Sequence, residues 1–198
     1  HKKVWLSILG GPSYNPEASL GVGGAMLMTF RMNPDDTISQ RSFIPVGFNI
    51  SINGTFVAAG AGTLFFNENK FRIYIKYGYR TEPANFYGIG YDEIKKAEEL
   101  KDRYDKDSVT FHKASVQFFP RFVWEVKPNI YVGTLLDFNY NYPKSLADWM
   151  KTNPAILKYG NRYHNIGIGA LFQYDTRDDV ATPFEGVFLS AMGTLYGK

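Results

Sequence analysis

The chain of 198 residues contains no cysteine and only three histidines. The lack of cysteine excludes a disulfide scaffold, a thiolate metal site and a cysteine nucleophile. The histidines are far apart and lack the spacing of a metal-binding motif, at His1, His112 and His164. No Gly-x-Ser-x-Gly nucleophile elbow occurs either. We therefore predict that the protein is not an enzyme and that it has no catalytic residue, no metal site and no cofactor.

A marked excess of charge is also missing, since 22 Lys and Arg stand against 19 Asp and Glu, a net charge of +3. Nucleic-acid-binding proteins carry a clustered basic face, so we predict no nucleic-acid partner. Residues 21–24 and 167–169 are glycine-rich and look like phosphate loops. They lie inside alternating segments with no helix after them, which argues against a dinucleotide site.

The sequence has no long hydrophobic run, and no stretch approaches the roughly 18–20 apolar residues of a membrane helix. A membrane is not thereby excluded, because a transmembrane β-strand needs only about 10 residues, of which every second one is apolar. What the chain has in quantity is aromatic residues, 17% of the total, together with 19 Gly. This combination favours strands over a helical bundle.

Alternation of apolar and polar residues predicts where the strands lie. In residues 70–80 every second position, beginning at Phe71, is Phe, Ile or Tyr, whereas the positions between them include Arg72 and Lys76. A period of two residues is typical of a strand with one apolar face. The pattern recurs and predicts nine strands, over residues 3–10, 18–32, 40–52, 55–66, 70–80, 109–125, 129–142, 163–175 and 185–196. At roughly 100–200 residues per domain, residues 1–198 form a single domain.

Two arrangements fit such strands: a soluble barrel of lipocalin type, with the apolar face as its core, and a transmembrane barrel, with the apolar face against lipid. Three features favour the second. The polar faces carry Gly and charges of both signs, and short turns alternate with long loops. Aromatic residues gather near predicted strand ends, at Phe65, Phe66, Tyr77, Tyr79, Trp124, Tyr140 and Tyr142. We therefore predict an all-β fold, a transmembrane antiparallel β-barrel of the bacterial outer membrane.

In such a barrel the polar faces line the lumen. The candidate lumen charges are Lys70, Arg72, Lys76, Arg121 and Asp137. Charged side chains in a pore determine which ions pass, although ordinary solvation of the lumen also accounts for these residues.

Two connecting segments have a composition of their own. Residues 92–107 carry acidic and basic residues three or four positions apart, which predicts a solvated helix within a loop. Residues 143–162 contain Trp149, Met150, Ile156 and Leu157 and are more apolar than an exposed loop requires. This second segment either folds over the mouth of the barrel or contacts a partner.

A polar segment, residues 174–186, separates the last two predicted strands and reads Tyr-Asp-Thr-Arg-Asp-Asp-Val-Ala-Thr-Pro-Phe-Glu-Gly. Its composition predicts a wide turn in which Asp side chains accept backbone N–H groups and Arg177 bridges them. The segment resembles a turn of the BamA/TamA-type outer-membrane barrels, also called the bacterial surface-antigen family. The turn-motif residues are Tyr174, Asp175, Arg177, Asp178, Pro183 and Gly186.

Two further segments agree with this resemblance. Residues 11–17, Gly-Pro-Ser-Tyr-Asn-Pro-Glu, are similar to the opening hairpin of the family. Residues 85–92 are similar to the Phe-Tyr-Gly-Ile-Gly loop of barrel-only members, with loop-motif residues Phe86, Tyr87, Gly88 and Gly90. The resemblance implies a non-catalytic Gram-negative membrane protein that assists assembly, translocation or anchoring of outer-membrane proteins. Its partners would be outer-membrane lipid and other outer-membrane or periplasmic proteins.

The chain departs from the family in two ways. The family's Arg-Gly-Phe/Tyr loop motif does not occur, and no periplasmic domain is visible before the predicted barrel. Bacterial single-chain barrels have an even number of strands, so nine strands predict an incomplete barrel, the first eight or nine strands of a larger one. The alternative is a small self-closing barrel of eight strands, with the first strand outside the wall. Two other functions stay open: a passive pore or surface-exposed scaffold, and a soluble lipocalin-like barrel that binds an apolar ligand.

Overall fold

The computed structural model describes residues 4–16, 19–33, 35–88, 91–92, 94–95, 98–99 and 109–197. Within these residues the strands are β1 (Trp5–Asn15), β2 (Ser19–Phe30), β3 (Ser42–Ser51), β4 (Phe56–Phe66), β5 (Phe71–Asn85), β6 (Thr110–Lys127), β7 (Ile130–Ser145), β8 (Tyr163–Asp175) and β9 (Phe188–Tyr196). Two short helices, α1 (Asp148–Lys151) and α2 (Pro154–Tyr159), lie between β7 and β8. The prediction of an all-β chain with nine strands is confirmed.

The nine strands form one sheet in the order β1 to β9, and every neighbouring pair is antiparallel. Strands β1 and β9 therefore form the two edges of the sheet. β1 extends to Asn15, beyond the predicted end at residue 10, because Gly10 and the residues after it continue to pair with β2 as far as Ser19. Residues 11–15 of the predicted opening hairpin therefore belong to strand β1.

Two tight turns adopt the left-handed conformation that their residue types favour. After β3, Gly54 has φ of +85° and the side chain of Asn53 accepts the N–H of Thr55 at 3.0 Å. After β4, residues 67–69, Asn-Glu-Asn, have φ of +50°, +58° and +68°. Asn tolerates this conformation because its short amide bonds to the local backbone.

The register gives the sheet two chemically different faces. On β5, Phe71 lies on one face and Arg72 and Tyr74 on the other. Pairing extends these faces to β6, where Trp124 is opposite Phe71 and Val123 is opposite Arg72. The alternating apolar and polar residues of the sequence therefore lie on opposite faces, and most of the charged side chains share one face.

An ion pair between distant strands shows how the sheet is curved. Arg72 Nη1 on β5 lies 2.7 Å from Asp175 Oδ2 at the end of β8. Three strand spacings on a flat sheet separate two strands by about 14 Å, too far for these side chains to meet. The face that carries Arg72 is therefore the concave face, and the apolar face is the convex one.

The core of the protein lies on the concave face. It consists of Tyr74, Val123, Tyr131, Leu135 and Leu171, against which Phe119 and Val180 pack. We call these residues the concave core. The face predicted to be a polar lumen lining is therefore partly apolar, because alternate positions of β6, β7 and β8 also carry large apolar side chains. The charged groups on this face lie beside packed rings and aliphatic groups.

The connections define two ends of the sheet. We call the end with residues 31–41, 67–70, 128–129 and 176–187 the turn end, and the opposite end the loop end. The expected separation of short turns from long loops is wrong. The turn end carries two long connections, residues 31–41 and 176–187, and the loop end carries a short one at residues 52–55.

At the loop end, residues 146–162 pack against the chain itself. The side chain of Met150 in α1 is fully buried, and the Trp149 ring stacks on Phe86 with centroids 5.9 Å apart. Leu157 in α2 stays 72% exposed. Of residues 92–107, predicted to be helical, the described ones at 92, 94–95 and 98–99 are helical, and residues 93, 96–97 and 100–107 lie outside the described part. No helix within the described residues is long and apolar enough to cross a membrane.

Candidate functional site: the concave face and the 174–186 turn

Asp175, the last residue of β8, is the centre of a buried ion cluster. Its carboxylate, in a residue only 4% exposed, accepts from Arg72 Nη1 at 2.7 Å and from Arg177 Nε at 2.8 Å. A second nitrogen of Arg177, Nη2, donates to Oδ2 at 3.1 Å. One carboxylate thus holds two guanidinium groups, one from β5 and one from the segment after β8. A buried charge is tolerated only when an opposite charge and hydrogen bonds compensate for its removal from water.

Arg72 connects this cluster to the turn before β5 and to strand β7. It is 5% exposed, its Nε donates to the Asn69 carbonyl at 3.2 Å, and its Nη2 donates to the Tyr131 hydroxyl. The guanidinium also lies 4.1 Å from the centre of the Tyr131 ring. Removal from water strengthens such a cation–π contact. Tyr131 was absent from the predicted site, although it shares the parity of Asp137 on its strand.

The carboxylates of the 174–186 turn bond to its backbone, as the sequence predicts. Asp178 Oδ1 accepts the N–H groups of Glu185 at 3.3 Å and Phe184 at 3.1 Å, which lowers the pKa of Asp178. Asp179 Oδ1 accepts the N–H of Ala181 at 2.7 Å. Arg177 does not bridge these two residues; it binds Asp175, which raises the pKa of Arg177, and donates to the Val180 carbonyl at 3.4 Å.

Gly186 is required by the close approach of the two ends of the turn. Its φ is +108°, and a Cβ atom there would lie 2.4 Å from the carbonyl oxygen of Thr176. Thr176 closes the turn, because its N–H donates to the Val187 carbonyl at 3.0 Å and its hydroxyl accepts the Val187 N–H at 2.9 Å. Pro183 is exposed in the middle of the turn, and Tyr174 points to the convex face, away from the ion cluster.

Gln40 joins two long connections at the turn end. Its side-chain Nε2 donates to the Asp178 carbonyl at 3.1 Å, and its Oε1 accepts the Val180 N–H at 3.1 Å. Its backbone N–H donates to Asn69 Oδ1 at 2.8 Å. Segments 31–41, 67–70 and 176–187 are thus tied together across the opening of the concave face. No sequence signal identified Gln40, because its partners lie far along the chain.

The remaining predicted lumen charges have different surroundings. Lys70 lies in the turn before β5, is 61% exposed and pairs with Glu68 at 2.9 Å. Asp137 on the concave face accepts the Tyr196 hydroxyl at 2.7 Å. Lys76 is exposed on the concave face, with no carboxylate within 4 Å among the described residues. Arg121 lies over the Tyr74 ring, 5.0 Å from its centre.

The convex face carries aromatic rings near both ends. At the turn end Phe71 stacks on Trp124 at 5.1 Å and contacts Phe66 at 5.4 Å. The loop end has Phe56, Tyr79, Tyr140 and Tyr142. We call these groups the turn-end and loop-end aromatic rows. Phe65 does not belong to them, because it points to the concave face and is 1% exposed.

The loop-motif residues lie at the loop end. The Phe86 N–H donates to the Val109 carbonyl at 2.9 Å, and Gly88 has φ of +82°. Tyr87 is half-buried beside them, and Gly90 lies outside the described residues. A cavity of about 210 Å³ is lined by Phe86, Phe111, Tyr142, Leu146 and Ile156, among others. The structure does not bring the loop motif close to the turn motif, because the two lie at opposite ends of the sheet.

Among the described residues, no group of three or more His, Cys, Asp or Glu is placed to hold a metal ion. Comparison of the chain with family models, with curated proteins and with solved structures gives no match.

Proposed function

We propose that the chain forms part of the wall of an outer-membrane β-barrel, with its convex face against lipid and its concave face towards the lumen. The observation that carries this proposal is an exposed apolar face between two rows of aromatic residues. Ile168, in the middle of β8, is 67% exposed, and Phe118 on β6 is 43% exposed. Monomeric soluble proteins rarely expose contiguous apolar patches above about 300–600 Å².

The distance between the aromatic rows supports the same function. On β5 the turn-end row begins at Phe71 and the loop-end row is reached at Tyr79, with only Ile73, Ile75 and Tyr77 on the convex face between them. A tilted strand crosses a bilayer in about 9–11 residues, and Phe71 to Tyr79 is a stretch of that length. Aromatic residues at both water interfaces are typical of outer-membrane barrels.

The role within the membrane follows the family resemblance. The protein acts without catalysis, in assembly, translocation or anchoring of outer-membrane proteins, with lipid and other outer-membrane or periplasmic proteins as partners. The turn motif supports this role, because Asp175, Arg177 and Gly186 each have a specific place in one folded unit. The two edge strands, β1 and β9, run in the same direction. They cannot pair with each other in an antiparallel manner, so an antiparallel closed barrel needs an odd number of further strands between them.

A pair of isoleucine substitutions tests the membrane face. Ile168 and Ile38 are 67% and 66% exposed, but Ile168 lies in the middle of the convex face and Ile38 in the connection 31–41. In lipid, Ile168→Lys costs about 2–4 kcal/mol and lowers the amount of heat-modifiable protein in the outer-membrane fraction, whereas Ile38→Lys does not. If both variants are tolerated and the full-length protein remains in the aqueous fraction, the proposal fails and a soluble binding barrel is favoured.

A passive pore is the second candidate function. It is favoured by the cations Lys76 and Arg121, which face the concave side without a carboxylate partner among the described residues. A pore gives steady conductance in a planar bilayer, with an ion preference that changes in Lys76→Gln. An assembly protein instead lowers the yield of folded outer-membrane proteins when it is depleted.

A further inference from the structure

Arg121 is a cation whose hydrogen-bonding capacity the described part of the chain leaves unused. Its Nε is buried without a hydrogen-bond partner, and no ion pair joins Arg121 to another described residue. Its side-chain contacts are with two rings, those of Tyr74 at 5.0 Å and Phe119 at 5.6 Å. A guanidinium has five N–H donors and no acceptor. Arg121 as a whole is half-buried, and its Nε is withdrawn from water. Withdrawing part of a charged group from water without a partner is costly, so an anion beside Arg121 would be favourable.

The acidic residues on the same face are already engaged. Asp175 is shared by Arg72 and Arg177. Asp137 accepts from the Tyr196 hydroxyl, and Glu125 accepts the Asn129 N–H at 3.1 Å. The residues directly opposite Arg121 in the register are Tyr74 and Leu135, which carry no charge. The chain therefore offers no described carboxylate to Arg121.

A second cation lies next to Arg121 on the concave face. Lys76 is opposite Phe119, two positions along β6 from Arg121, so the two cations are diagonal neighbours. Such neighbours have Cβ atoms about 7–8 Å apart, close enough for both long side chains to reach one group between them. Lys76 is exposed on this face, so the position is accessible from the concave side.

We propose that Arg121 and Lys76 form a binding site for an oxyanion, a phosphate or carboxylate group of a small solute that enters the concave face. The planar guanidinium supplies paired N–H donors that match two oxygens of such a group, and the Lys76 ammonium supplies a point charge. The rings of Tyr74 and Phe119 fix the guanidinium in place before the ligand arrives, which reduces the entropy lost on binding. The site does not depend on whether the convex face meets lipid.

Binding of inorganic phosphate to the purified full-length protein tests this site, with succinate as the carboxylate probe. Equilibrium dialysis at constant ionic strength, adjusted with chloride, removes general screening effects. We expect saturable binding of at least one probe by the natural protein, weakened about tenfold or more in Arg121→Gln because charge-assisted hydrogen bonds are lost. Lys76→Gln weakens binding by a smaller factor.

Arg80→Gln is the matched control. Arg80 lies on the same strand and face as Lys76, but it already pairs with Glu82 at 2.8 Å. Its substitution leaves phosphate or succinate binding unchanged. A loss in Arg80→Gln equal to that in Arg121→Gln overturns the proposal, because it indicates general attraction to positive charge.

The melting temperature, measured with and without the probe, distinguishes loss of binding from misfolding of a variant. Arg121→Met removes an unpaired charge and keeps the packing against the two rings, so we expect it to fold. Ligand that binds only the folded state raises the melting temperature. The bound probe therefore raises the melting temperature of the natural protein and leaves that of Arg121→Met unchanged. Absence of binding of both probes to the natural protein overturns the proposal.

Discussion

Asp175 shares two carboxylate oxygens between two arginines, and all three groups are largely removed from solvent. Asp175→Asn keeps the shape of the side chain but leaves the charges of Arg72 and Arg177 unpaired beside the concave core. We expect this variant to lower the free energy of unfolding by about 3–5 kcal/mol, the usual cost of breaking a buried pair. Urea unfolding followed by tryptophan fluorescence measures the change.

Glu68→Gln is the control for that measurement. The Glu68–Lys70 pair has a similar distance, 2.9 Å, but its side chains are 48% and 61% exposed. Exposed pairs contribute about 0–1 kcal/mol, so little change is expected. Equal losses in Glu68→Gln and Asp175→Asn would show that the Asp175 cluster has no special contribution.

Substitution of Gly186 is expected to destabilise the turn for a different reason. A methyl group at Gly186 meets the Thr176 carbonyl at 2.4 Å, and the backbone there has positive φ. We expect Gly186→Ala to lower the free energy of unfolding by at least about 1–2 kcal/mol, the cost of left-handed backbone for a residue with a Cβ. Gly193→Ala in β9, where nothing lies within 4 Å of the added methyl, is the matched substitution. Similar losses at both positions would argue against a special requirement for glycine in the turn.

At the scale of the element, the connection 31–41 depends on the ionised form of Asp36. Its carboxylate accepts from the Ser39 hydroxyl, from the N–H of Ser39 at 2.9 Å, from Ile38 N–H at 3.0 Å and from Glu68 N–H at 3.2 Å. The hydrogen bond from the Ser39 side chain is the largest cause of the lowering of the Asp36 pKa from 3.8 to about 2. The last of these bonds joins the connection to the turn after β4.

A pH titration tests this dependence. Since the pKa is lower in the folded protein than in the unfolded chain, the ionised Asp36 stabilises the connection above about pH 4. That stabilisation is lost as the pH falls through about 2. We expect hydrogen-exchange protection of the Ser39 and Glu68 amides to drop over this interval. The Thr55 amide, bonded to the neutral Asn53 side chain, keeps its protection. Equal loss at Thr55 would indicate global acid unfolding.

The strands could be predicted because their signal is local. On β5, alternate residues such as Ile73 and Ile75 identify the strand without reference to any other part of the chain. The ends of elements were less predictable, as at β1, which continues to Asn15 through glycines that carry no alternation signal. Its extent depends on pairing with β2, which a local pattern does not contain.

For the molecule as a whole, the two aromatic rows predict where tryptophans meet lipid. Trp124 belongs to the turn-end row on the convex face, whereas Trp149 stacks on Phe86 at the loop end. In vesicles with brominated acyl chains, we expect strong quenching of a protein that retains only Trp124. A protein that retains only Trp149 is quenched less. Equal quenching would mean that the convex face is not the lipid-facing surface.

The candidate site was predictable only in part, because its contacts depend on the curvature of the whole sheet. The sequence indicated Arg72 and Asp175 separately, one as a lumen charge and one as a motif residue. Their contact joins positions 103 residues apart and requires the curvature of β5 to β8. Tyr131 and Leu135 were missed because each is a large apolar residue among alternate positions that are mostly polar, so the local pattern gives it no role. In the folded sheet both belong to the concave core.

Gln40 has a kinetic consequence for the molecule. Its carboxamide both donates and accepts, as a peptide group does in a strand, so connections 31–41 and 176–187 are fastened by two bonds through one side chain. Neither connection lifts away without breaking both bonds, and Val180, held by one of them, packs on the concave core. We therefore expect the two connections to open together, and loss of the Gln40 side chain to let water reach the concave core more often from this end.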